Sequence, residues 1–139
     1  MRWTRRRSVV AALVGLGLAG WTIFAFLTSV TNPSVREAGG LKIYLYPTLT
    51  GAPRTGDNNF EIKVLDREGR PVDGASVNVR YTMTGMSGME ARTLGARAVT
   101  QGIYETTLSL SMAGTWEVGV TVERPGVAPV TVSFPVQVQ

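Results

Sequence analysis

The sequence predicts an all-β chain: an immunoglobulin-like antiparallel β-sandwich preceded by one N-terminal transmembrane helix. Three observations lead there. Residues 8–30 form an uncharged apolar run behind a basic arm. From Leu41 onward, short segments alternate apolar and polar residues with a period of two, the mark of strands that bury one face. Clusters of Gly, Asp, Asn and Pro punctuate these segments, and no amphipathic helical pattern competes with them.

Residues 1–7, "MRWTRRR", form a cytoplasmic basic arm, and residues 8–30 a signal anchor. As a helix of 23 residues the anchor rises about 35 Å, enough to cross a hydrocarbon core of about 30 Å. The arginines on its N-terminal side orient it N-in, which places the remainder in the periplasm or at the cell exterior. A cleaved signal peptide is the alternative, but the apolar run is long for one and no clean A-x-A site closes it. Residues 31–40, "TNPSVREAGG", read as a linker because Pro33 and the Gly39-Gly40 pair break regular structure. The sandwich is assigned to residues 41–139.

Within it, Leu41, Ile43 and Leu45 share one face, as do Phe60, Ile62 and Val64. "ASVNVRYTM" sends Ala75, Val77, Val79, Tyr81 and Met83 one way. "YETTLSL" aligns Tyr104, Thr106, Leu108 and Leu110, and "WEVGVTVE" aligns Trp116, Val118, Val120 and Val122. The last segment aligns Val130, Val132, Phe134, Val136 and Val138; Pro135, which lacks a donor, predicts an edge strand or a bulge. Arg92 and Arg97 flank an expected hairpin and read as edge protection against strand pairing. Asp57, Asp66 and Asp73 are expected in turns, making Asx hydrogen bonds.

Composition excludes several functions. The chain has no cysteine and no histidine, so disulfides, thiolate chemistry, imidazole bases and the usual zinc sites are ruled out. Ser109 and Ser111 have no adjacent base, and no phosphate-cradling loop leads into a helix; the expectation is a protein that is not an enzyme. The net charge is +4, but Arg2, Arg5, Arg6 and Arg7 supply all of it. The folded part is balanced, so nucleic acid is not an expected partner.

One segment stands apart. "MTGMSGM" spaces Met83, Met86 and Met89 three apart among Thr, Gly and Ser, and Met112 follows in "SMAG". Thioether sulfur prefers Cu(I) to harder ions, and three sulfurs in a glycine-containing loop, with Met112 as a fourth, make a candidate Cu(I) site. The competing reading is structural: Met83 continues the inward register of its segment, and methionine fills irregular gaps well. Glu90 is a further oxygen donor or a solvated loop charge.

Several motifs together resemble the YtkA-like domain, a family related to FixH proteins. They are "GDNNF" at 56–60, "DREGRPVDGASV" at 66–77, "MTGMSGM", and "GIYETTLSLSMAGTWEVGVTV" at 102–122. The resemblance implies an extracytoplasmic, often membrane-tethered β-sandwich found beside copper-handling and oxidase-assembly proteins. Two functions from different classes follow as expectations. One is a copper-associated accessory protein that holds or delivers Cu(I). The other is a metal-free structural or interaction module of a membrane complex, with a membrane-protein partner.

Overall fold

The computed structural model describes residues 34–139. The expected basic arm and membrane anchor lie outside them; among the described residues no helix is long and apolar enough to cross a membrane. Nine strands follow in order: β1 (Ser34–Ala38), β2 (Leu41–Pro47), β3 (Gly56–Asp66), β4 (Ser76–Met83), β5 (Arg92–Gly95), β6 (Arg97–Thr100), β7 (Ile103–Leu110), β8 (Gly114–Glu123) and β9 (Val130–Val138). They form two antiparallel sheets, one ordered β1-β2-β3-β7-β6 and the other β5-β4-β8-β9.

The period-two segments become strands because each can put its apolar set between the sheets. Ile43, Ile62, Val64, Val79, Leu108, Leu110, Val118, Val120 and Phe134 are fully buried there. Trp116 is buried in the same core, and truncating such a side chain costs about 3–5 kcal/mol. β9 is an edge strand, and Pro135 sits on it exposed, as its missing donor requires.

Three expectations need correction. Ser34–Ala38, expected within the linker, is strand β1, joined to β2 through Gly39 and Gly40, both at positive φ. That is the backbone a two-residue hairpin turn demands. Arg92 and Arg97 do not flank a hairpin. β5 pairs with β4 and β6 with β7, so the chain crosses from one sheet to the other at Ala96, whose N–H is held by the Val77 carbonyl. A single connecting residue is too short for a hairpin loop, and each arginine instead lies on an edge strand of its own sheet. Asp57 lies in β3 rather than in a turn, and Ser109 donates to its carboxylate across the β3–β7 ladder.

The two sides of the sandwich are closed differently. At one, the crossing at Ala96 joins the sheets covalently. At the other, Arg36 of β1 donates to the Ser133 carbonyl of β9 (3.2 Å) and lies 5.7 Å from the centre of the Phe134 ring.

Candidate metal centre

β4 ends at Met83, and the chain then makes two consecutive turns, centred on Thr84-Gly85 and on Ser87-Gly88. Both glycines have positive φ, 80° for Gly85 and 95° for Gly88. Glycine tolerates that conformation at the third position of a turn, where most side chains are disfavoured. The M-x-G-M-x-G-M spacing is therefore a pair of tandem turns: Met83 and Met86 are the outer corners of the first, Met86 and Met89 of the second. The outer Cα atoms of a β-turn lie within about 7 Å, so the backbone keeps successive methionines close. The Thr84 N–H donates to the Thr115 carbonyl (2.9 Å), which pins the start of the first turn to β8.

Met112 arrives from the neighbouring loop between β7 and β8. Met83 and Trp116 are directly opposed in the β4–β8 register. The Trp116 indole N–H donates to the Met112 carbonyl (3.0 Å). The Met83 methyl occupies the space in front of Gly114, 2.5 Å from where a Cβ there would stand. Gly114, at φ 132°, is thus the residue that makes room for Met83. Tyr81 completes the corner, its ring 6.0 Å from that of Trp116 and its hydroxyl accepting the Ser109 N–H (3.3 Å).

All four predicted methionines therefore lie at one end of the sandwich, but in different settings. Met86 (45% exposed) and Met112 (37% exposed) face solvent, whereas Met83 and Met89 are partly buried against the core. Met83 is brought to the Met112 loop through Gly114 and Trp116, and Met89 turns back toward the core. Glu90 is exposed beside it. Among the described residues no group of three His, Cys, Asp or Glu could hold a metal ion. The donors at this end that suit a soft monovalent cation are the thioethers.

The sequence reading missed the supporting residues. Gly85, Gly88 and Gly114 were legible as glycines but not as the positions that set the methionines. The repeated M-x-G-M triplet was the available signal for the first two. Nothing in the sequence marks the bond from the Trp116 indole to the Met112 carbonyl.

The opposite end explains the other motif residues in purely structural terms. The Asp66 carboxylate accepts the N–H groups of Glu68 and Arg70 and the Arg70 guanidinium, each of the Arg70 bonds at 2.9 Å. These bonds, led by the Arg70 backbone N–H, hold its pKa below the usual carboxylate value. Asp73 accepts the Gly102 N–H (2.9 Å), and the Tyr104 hydroxyl donates to the Val72 carbonyl (3.0 Å). On the outer face of the first sheet, burial, reinforced by the Glu61 carboxylate to which it donates, pushes the Tyr46 phenol up to about 12.

The YtkA-like family profile matches residues 37–121, more than half of the chain, with Met83, Met86, Met89 and Met112 among them. The chain belongs to the YtkA-like family. This YtkA-like domain is similar in fold to a DUF4426 family protein from Pseudomonas aeruginosa PAO1, at 19% identity over 75% of this chain and 94% of that one, with a TM-score of 0.57. It is also similar to the PmoD soluble domain from Methylocystis sp. ATCC 49242 (Rockwell), at 14% identity over 76% of this chain and 96% of that one, with a TM-score of 0.53. At these identities the likeness is one of fold. No curated protein matches the chain significantly.

Proposed function

We propose that this YtkA-like protein is a membrane-anchored, extracytoplasmic accessory protein without enzymatic activity, which holds or passes Cu(I) at its methionine end. The observation that carries the reading is the tandem turn. Two glycine-dependent turns set Met83, Met86 and Met89 at successive corners, and the Met112 loop adjoins the first of them. Core packing alone accounts poorly for Met86 and Met112, which are exposed. Thioether donors suit Cu(I), are neutral, and need lose no proton to bind it. Met86 and Met112 are the accessible donors; Met83 stands behind them, and Met89 joins only if its side chain leaves the core. The N-in anchor over residues 8–30 is part of the proposal, and places this end outside the cytoplasm.

A Cu(I) competition titration of the full-length protein against a chromophoric chelator tests it. The wild type is expected to retain Cu(I), and a Met86→Leu, Met89→Leu, Met112→Leu variant to lose it. Equal, negligible retention by both proteins overturns the copper reading. Intact mass of protein isolated from its membrane tests the anchor: a mass short of about the first 30 residues means the segment is cleaved.

A second reading, a metal-free interaction module, draws support from Leu49. It is 76% exposed in the 48–55 loop, at the same end as exposed Met86 and Met112. A membrane-protein partner that co-purifies without metal, and is lost in the same triple variant, favours this reading.

A further inference from the structure

The methionine end contains one side chain that is buried, carries a polar hydrogen, and directs it at the backbone of a proposed ligand. Trp116 is 2% exposed, and its indole N–H has the Met112 carbonyl as its partner. That bond reaches back four residues along the chain. Its effect is to tie the loop between β7 and β8, at the residue that bears the thioether, to the strand opposite Met83. Trp116 is itself held: its ring lies against Tyr81, whose hydroxyl accepts the Ser109 N–H at the end of β7. Gly114, between Met112 and Trp116, leaves the space that the Met83 methyl fills.

We infer that Trp116 is a positioning residue for the thioether site. Through the Met112 carbonyl it holds Met112 beside the Met83 corner of the tandem turns, so that thioethers from two separate loops serve one Cu(I) ion. The inference rests on the copper reading above and adds to it a second loop and a residue that never touches the metal. Groups that orient metal ligands typically change affinity by about 10–100-fold when removed, and Trp116 falls in that class.

A double-mutant cycle on the full-length protein tests this. Trp116→Phe keeps an aromatic ring but removes the N–H; it is expected to weaken Cu(I) retention by about 10-fold. Met112→Leu is expected to weaken it comparably, and the two together no more than either alone, because both act through the Met112 thioether. Tyr104→Phe removes a hydroxyl bond at the opposite end of the sandwich, away from every methionine, and should leave retention unchanged. A spectroscopic readout needs no Trp116 variant: addition of Cu(I) should shift the Trp116 indole N–H resonance in the wild type and not in Met112→Leu. Wild-type retention in a folded Trp116→Phe variant, additive losses, or an unmoved indole resonance in protein that has retained Cu(I) overturns this inference alone. A wild type that retains no Cu(I) overturns it together with the proposed function.

Discussion

The two ends of this sandwich are built from the same kinds of residue, glycine-rich turns between strands, yet they are held in opposite ways. At the end formed by 66–75 and 100–102, every turn is cross-tied. Asp66 collects three bonds within its own turn, Asp73 reaches across to Gly102, and Tyr104 reaches back to Val72. The Gly102 carbonyl also accepts the Val64 N–H. A Cβ on Gly102 would meet Pro71 at 2.8 Å and the Val64 carbonyl at 2.9 Å. At the methionine end, Gly85 and Gly88 have open space where a Cβ would stand. Gly102 is needed for room and backbone conformation together, Gly85 and Gly88 for backbone conformation alone. The comparison teaches that the first end stabilises the fold, while the second presents side chains from turns pinned to β8 at their start and open around their glycines.

The sharpest way to break this comparison is to add one methyl group at each end. Gly102→Ala combines a positive φ of 68° with contacts against backbone, and is expected to cost about 3 kcal/mol or more in urea unfolding. Gly88→Ala meets only the backbone penalty and should cost about 1–2 kcal/mol. Equal losses would mean that the two ends are constrained alike.

A position between the ends gives a smaller effect of opposite sign. Thr106 is buried opposite Phe60, and its hydroxyl has no partner among the described residues. Thr106→Val should stabilise the domain by about 1 kcal/mol, because a buried polar group left unsatisfied is replaced by a methyl. A destabilised valine variant, read in the same urea experiment, would show that the hydroxyl is satisfied in solution. Next comes Met86→Leu with Met112→Leu. Both side chains are substantially exposed, so the pair should change stability by less than about 0.5 kcal/mol while Cu(I) retention falls. A large loss of stability would move these methionines into the structural half of the comparison.

The smallest effect is a pH dependence confined to the cross-tied end. The Asp66 pKa is lower in the fold than in the unfolded chain. Its contribution to stability is therefore fully present above the ordinary carboxylate value, near pH 4, and is lost as pH falls through the lowered value. Asp66→Asn should flatten that part of the stability profile. An unchanged acid limb in the variant would reject the assignment.

Most of the fold was legible because a strand with one buried face writes itself as alternation, and six of the nine strands do so at least in part. β1 was not, because an edge strand exposed along nearly its whole length, as Ser34 to Glu37 are, buries nothing and leaves no periodic trace. The pair β5 and β6 misled for a related reason. Two short segments flanking a glycine look like a hairpin, and only the count of connecting residues, one, argues for a switch of sheets. At the candidate site the residue types were readable and the geometry was half readable. The tandem turns follow from glycine at the third position of each triplet. The placement of the Met112 loop beside β4 depends on the β4–β8 register, a pairing between segments more than thirty residues apart. Local sequence does not encode that.

The Arg36 contact also bears on how the domain responds to tension. Strand β1 is the first part of the described chain, and its pairing with β2 opens from the Ser34–Leu45 rung toward the Gly39-Gly40 turn. A pull on the polypeptide ahead of Ser34 therefore acts as on a zipper, one rung after another. The third of the five rungs carries Arg36, bonded to the other sheet as well as to its own. Unzipping is met there by a catch, and load that passes it must be shared with β9 before β1 can peel away.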